Sequence, residues 1–242
     1  MMVLGIETAT AVCAVALVDD DAVRAERRYE IPQAHSEKLM ECADDCLKSA
    51  GLILSSIDGI AISIGPGSFT GLRIGLSVAK GLAFAADKPL VGVPTLEALA
   101  LQPVRKGVVE PDDVIVPMID ARRDEVYTAI FRPHEKSVEQ LLSPQAVRCV
   151  EAMAILSGYQ RIVLVGDGAN KFYQYYSQSE LNNDLRINAP DKNLQSCSAI
   201  DVARCGVLKF RHGDRGNLET LEPMYIKEFY TTAKPQQFSV ES

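Results

Sequence analysis

Residues 59–86, GIAISIGPGSFTGLRIGLSVAKGLAFAA, constrain the fold more than any other stretch of the chain. Gly59 to Ile64 is short and mostly apolar, the pattern of a buried strand. Gly65 to Gly71 brings three glycines and a proline together and must turn. From Leu72 to Ala86 no breaker stronger than glycine occurs, and Leu72, Leu76, Ala79 and Ala83 recur along one helical face. Strand, glycine-rich turn and helix can aim backbone N–H groups and a helix N-terminus at an anion. The same residues serve equally as a tight turn before a helix that packs closely through its glycines. Two phosphate-binding loops are excluded. No Gly-Lys-Ser/Thr triplet ends the turn, and Gly67 and Gly71 lie one position too far apart for the dinucleotide fingerprint.

A chain of 242 residues suits one large domain or two lobes. Hydrophobic residues at 47% and charged residues at 24% fit a packed globular protein rather than a disordered one. Met1 to Glu7 shows no basic region ahead of an apolar core, so no signal peptide is expected. The nearly uncharged run at 74–86 is interrupted by Lys80 and is expected to be too short for a bilayer. A cytoplasmic location follows as an expectation. The net charge of −7 argues against nucleic-acid binding by this chain alone, because phosphate contacts need clustered Lys and Arg. The six cysteines include no C-x-x-C pair, and the three histidines build no zinc spacing, so neither disulfides nor a metal site is expected.

Taken in order, the chain repeats one succession of elements. Val3–Ile6, Val12–Val18 and Arg24–Ile31 read as strands joined by turns, and a helix capped by Ser36 carries Leu39, Ala43, Cys46 and Leu47 on one face. The central strand and helix follow, then a strand at 90–93, a short helix to Leu101 and a linker at 102–112. Beyond it, Val114–Ile119 and Glu125–Phe131 form a second hairpin, with a third strand near Leu141. A helix at 151–157, a strand at 162–165, a last strand at 186–190 and a helix at 198–210 complete the series. The duplication lies in element order alone. It predicts an α/β protein of two lobes, each a mixed sheet flanked by helices, as in the actin-like ATPase and sugar-kinase superfamily. The lobes are drawn at 1–103 and 104–226, with the final helix packing back on the first lobe and a flexible tail at 235–242.

Proteins of that superfamily hold nucleotide in the cleft, with the first hairpin of each lobe at the phosphates. Glu7, Thr8 and Thr10 on one side and Asp120 on the other are therefore candidate residues for weak ATP or ADP binding with Mg²⁺. The turn Thr8-Ala9-Thr10-Ala11 has no glycine, so a closely held triphosphate and strong hydrolysis are not expected. Ser68 has no base placed beside it by sequence and is assigned, with Thr70, to capping the next helix.

Several segments resemble the TsaB (YeaZ) family, which takes part in making threonylcarbamoyladenosine in tRNA. They are Ile6-Glu7-Thr8-Ala9-Thr10, His35-Ser36-Glu37-Lys38-Leu39, GPGSFTGLRIG at 65–75, Val93-Pro94-Thr95-Leu96-Glu97-Ala98-Leu99, Asp120 to Tyr127 and Gly166-Asp167-Gly168-Ala169. The related TsaD family holds its metal with a histidine pair after the central helix, and residues 92–100 here contain none. The resemblance thus implies a non-catalytic subunit that binds a TsaD-type catalytic subunit, with a TsaE-type ATPase in the complex. It implies no required cofactor, no membrane, tRNA contact only through the complex, and a homodimer when alone. Leu39, Ala43, Leu72, Gly75, Leu76, Ala79 and Leu82 are the expected partner interface, and Gly75→Arg is expected to break pairing while the fold survives. The competing readings are an active nucleotide-dependent enzyme or glycoprotease-like hydrolase of the same superfamily, and a sugar or metabolite kinase with an eroded motif.

Overall fold

Among the described residues, nine strands divide between two sheets because the apolar runs of each half find partners within that half. A computed structural model describes residues 1–29, 35–179 and 187–227. In the first half, β1 (Met2–Glu7), β2 (Cys13–Asp19) and β3 (Ala22–Tyr29) form an antiparallel meander. Helix α1 (His35–Ser49) leads to β4 (Gly59–Gly65), which pairs parallel to β1 with Val3 opposite Gly59 and Ile6 opposite Ile62. Helix α2 (Phe69–Ala86) then crosses to β5 (Leu90–Pro94), parallel to β4, giving the order β3-β2-β1-β4-β5.

The second half repeats the plan after α3 (Thr95–Arg105). Strands β6 (Val114–Asp120), β7 (Glu125–His134) and β8 (Ser137–Arg148) form the meander and α4 (Cys149–Leu156) follows. Strand β9 (Ile162–Val165) pairs parallel to β6, giving β8-β7-β6-β9. Helices α5 (Gly168–Gln178) and α6 (Ala199–Arg211) complete the set. This is the two-lobed α/β organisation expected from element order.

Burial explains the layering. Leu4, Ile6, Val15, Leu17, Ile60 and Ile62 face α1 and α2 on one side of the first sheet. Val3, Val18, Ala61, Val91 and Val93 face α3 and α6 on the other, and α3 also meets Ile115, Ile119 and Phe131 of the second sheet. The second sheet's far side packs Val116, Met118, Val126 and Leu164 on α4 and α5 through Phe172 and Met153. A sheet covered on both faces must read as continuous hydrophobic strands, which is why β1, β4 and β6 do.

Several boundaries differ from expectation. Residues 102–112 are not all linker: α3 continues to Arg105 with Pro103 inside it, so the boundary drawn at 103/104 falls within a helix. Gln102 and Pro103 are buried between the sheets, and that burial overrides the helix-breaking signal of the proline. Helix α2 begins three residues earlier than its apolar face suggested, because Ser68 is its N-cap and Thr70 lies inside it. At 18 residues it is long and apolar enough by length and composition to cross a bilayer, contrary to the expectation, although Leu72, Leu76, Ala79 and Ala83 pack on the first sheet's side. Ser36 falls within α1 rather than at its cap. The expected strand at 186–190 reduces to a single bridge from Ile187 to Ile162, and α5 was not anticipated. The tail at 235–242, together with Glu30 and Arg186, lies outside the described residues.

Candidate functional site: the hairpin turns and the glycine-rich loop

The turn after β1 and the loop after β4 are packed on one another. A Cβ on Gly67 would lie 2.1 Å from the Ala9 carbonyl oxygen, and one on Gly71 2.1 Å from that of Thr8. A Cβ on Gly75 would lie 2.0 Å from Thr8 Oγ1. The glycines of the loop thus make room for the protein's own backbone. The Ser68 N–H donates to the Ala9 carbonyl at 2.6 Å, and Ser68 Oγ accepts from the Gly71 N–H at 3.2 Å. Two donors that would otherwise meet an anion at the start of α2 are engaged within the chain, the second by a cap worth about 1 kcal/mol.

Glu7 points inward. It is 0% exposed, and its Oε1 accepts from the Thr10 N–H at 3.0 Å and the Thr10 hydroxyl at 3.2 Å. Its Oε2 is buried without a hydrogen-bond partner among the described residues. Burial raises the Glu7 pKa above the ordinary 4.5, and the nearby Ser63 hydroxyl, Cys197 thiol and Thr10 only temper that rise. Thr8 is buried too, with its N–H on Ser63 Oγ at 3.3 Å. A carboxyl that favours its proton and faces the core is a poor ligand for Mg²⁺, which needs a charged oxygen open to water.

The facing turn is built differently. Asp120, at the end of β6, is exposed; its Oδ1 accepts from the Arg122 N–H at 2.6 Å and pairs with Lys171 Nζ. Arg122 and Arg123 both adopt positive φ, 67° and 50°, and carry the chain around the turn. Asp167 Oδ1 accepts from the Asp120 N–H at 3.0 Å, and burial raises the Asp167 pKa. The structure places Glu7, Thr8 and Thr10 together on the first turn, while Asp120 at the end of β6 is engaged with Arg122 and Lys171.

The C-terminal segment joins the glycine-rich loop to the second hairpin turn. The Met224 N–H donates to the Ile64 carbonyl at 2.6 Å, and the Tyr225 ring lies 5.3 Å from that of Phe69. Arg73 Nε donates to the Tyr225 hydroxyl at 3.2 Å while its guanidinium covers the Phe69 ring. Lys227 Nζ then reaches the second lobe, donating to the Ala121 carbonyl at 3.0 Å and pairing with Glu125 at 2.6 Å. Ser63 and Cys197, both beside Glu7, were missed. A serine inside the apolar run of β4 was the available signal for the first.

The expected partner interface needs correction. Leu39, Ala43, Leu72, Gly75, Leu76 and Ala79 are buried inside the chain, so a partner cannot touch them in this packing. Only Leu82 of that set is half-exposed. Gly75 faces Thr8 and Ile62, so Gly75→Arg would wreck the core rather than leave the fold intact. The outer face of the same helix pair carries Met40, 54% exposed, and Phe84, 82% exposed, with Ile74, Val78 and Leu82 half-buried between core and solvent. The expectation took the apolar stripe of α2 for its outer face; the sheet had already claimed it.

A family model described as TsaD, tRNA N6-adenosine threonylcarbamoyltransferase, matches residues 30–203. The tRNA threonylcarbamoyladenosine biosynthesis protein TsaB of Escherichia coli (strain K12) is 33% identical over 234 residues, covering 94% of this chain and 95% of the relative. The chain belongs to the TsaB family. TsaB of Haemophilus influenzae is 37% identical over 250 residues, covering 97% of each chain. A solved Pseudomonas aeruginosa structure, described as an uncharacterized protein with similarity to peptidase YeaZ, superposes with a TM-score of 0.79 at 28% identity, over 93% of this chain and 99% of that one. Three of the segments that carried the resemblance lie at the β1–β2 turn, the glycine-rich loop and the β6–β7 turn.

Proposed function

We propose that this TsaB-family chain serves the formation of threonylcarbamoyladenosine in tRNA as a non-catalytic subunit. In this reading it binds a TsaD-type catalytic subunit, works beside a TsaE-type ATPase in the cytoplasm, and pairs with itself when alone. The observation that carries the reading is the closure of the glycine-rich loop on Thr8 and Ala9, which fills with backbone the space a tightly held phosphate would need. The inward, proton-favouring Glu7 and the Lys171-paired Asp120 support it. Nucleotide binding, where it occurs, is weak and without turnover, and no cofactor is required. With a net charge of −7 the chain meets tRNA through its partners. Subunit contact falls on the outer face of α1 and α2 around Met40 and Phe84, the two most exposed large apolar side chains of that pair.

The test is ATP turnover by the isolated chain with Mg²⁺. The reading expects no turnover above a buffer control. Robust hydrolysis that disappears in Glu7→Ala would establish the competing enzyme instead.

A further inference from the structure

Residues 216–227 run from the start of β5 to the end of β4, rooted at one end and latched at the other. At the root, the Asn217 side chain accepts from the Glu219 and Thr220 N–H groups at 2.8 and 3.2 Å and closes a turn. Leu218 and Leu221 pack on the apolar cluster beneath α1 and α2, and Gly216 lies too close to the Leu90 carbonyl for any side chain. The tip is held differently. The Met224 N–H donates to the Ile64 carbonyl at 2.6 Å, and the Tyr225 hydroxyl accepts from Arg73 Nε at 3.2 Å. The Lys227 ammonium sits on the second hairpin turn among the Ala121 carbonyl at 3.0 Å, the Glu125 carboxylate at 2.6 Å and the Tyr127 ring at 5.4 Å. Apolar burial fixes the root, whereas polar partners near solvent hold the tip. A segment built this way opens locally while the rest stays folded.

The tip also bears on the glycine-rich loop. Gly65 has a φ of 115°, and a Cβ there would lie 2.6 Å from the Met224 carbonyl oxygen, so loop and tip meet backbone to backbone. The same loop rests on the first hairpin turn through the Ser68 N–H, which donates to the Ala9 carbonyl at 2.6 Å. The loop is thus held by the first turn and by the tip, and the tip in turn by the second hairpin turn. A separate ion pair between the lobes, Asp21 with Lys136 at 2.5 Å, joins the β2–β3 and β7–β8 turns, at the opposite end of β2 from the first hairpin turn.

We infer that residues 222–227 are a latched strap: Lys227 on the second hairpin turn seats the tip, and the tip keeps the glycine-rich loop closed on Ala9. What happens at Glu125 and Ala121 in one lobe is thereby carried to the loop of the other. The inference does not rest on the subunit role. Amide hydrogen exchange of the full chain, read residue by residue, tests it. In the native chain the Met224 and Ser68 amides should both be protected. Lys227→Ala removes the ion pair and the carbonyl contact together and should speed both amides about fivefold or more. The Ile62 amide, inside β4 opposite Ile6, and the unfolding midpoint should not change. Glu125→Gln leaves the Ala121 contact and should give a smaller increase at the same two amides. Lys136→Ala breaks the other ion pair between the lobes and should alter neither. An unprotected Met224 amide in the native chain, or one indifferent to Lys227→Ala, would overturn the inference. So would a Met224 response that Ser68 does not share, which would make the strap a passive tail, and so would an equal response to Lys136→Ala, which would mean general loosening between the lobes.

Discussion

Gly71→Ala probes the seam between the glycine-rich loop and the first hairpin with a single methyl group. The new Cβ would lie 2.1 Å from the Thr8 carbonyl oxygen and 3.3 Å from the Ser68 side chain. Its neighbour is the backbone of the residue just past β1 rather than a flexible side chain, so α2 or the turn must move. Overpacking of this kind costs about 3 kcal/mol at the upper end of its usual range. Alanine recovers about 1 kcal/mol of helix propensity over glycine. The net loss is about 2 kcal/mol, which for a chain of this size lowers Tm by about 4–8 °C. Gly81→Ala on the same helix is the matched control, since nothing lies within 4 Å of its Cβ and it should gain about 0.5–1 kcal/mol. Urea or thermal unfolding reads both. A Gly71→Ala protein as stable as Gly81→Ala would show that the loop stands off the Thr8–Ala9 backbone, and the closed-loop argument would fail with it.

Glu7→Gln tests the buried carboxyl. The folded pKa of Glu7 is raised, so the native state holds its proton more tightly than the unfolded chain does, and stability falls as pH rises from about 4.5 through the folded value. Across that window the slope approaches about 1.4 kcal/mol per pH unit, and the glutamine variant should lack it in unfolding curves taken from pH 4 upward. Arg105→Ala strands the buried Asp201 and should cost about 3–5 kcal/mol near neutral pH; burial raises the Asp201 pKa against the pull of Arg105, so the loss should shrink in acid as Asp201 takes up a proton. Gly75→Arg should fail to fold, judged by far-UV circular dichroism and soluble yield; a folded, monomeric variant would mean α2 does not pack on Thr8.

Periodicity located the central strand, the duplicated order of elements and the buried stripe of α2, because burial on one side of a helix leaves a regular trace. It did not tell which side of α2 faces solvent. Leu72, Leu76 and Ala79 form the stripe and are core, whereas Phe84 stands alone in the pattern and is the exposed one. Glu7 was legible as an acid at a strand end, but not its inward direction, which depends on Ser63 and Cys197 arriving from β4 and the entry to α6. The glycines of the loop were legible as close-approach positions. That they approach Thr8 and Ala9 is a long-range fact. The extension of α3 to Arg105 was masked by Pro103, whose burial between two sheets overrides local preference.

The subunit role is tested most directly by co-elution of this chain with the TsaD-type subunit from the same source, comparing the native sequence with Phe84→Asp. Phe84 is 82% exposed, so the substitution should leave stability within about 0.5 kcal/mol. The account predicts a stable complex with the native chain, and its loss in the variant with an unchanged unfolding midpoint. A native chain that elutes alone beside the TsaD-type subunit would contradict it, and so would a complex that Phe84→Asp leaves intact.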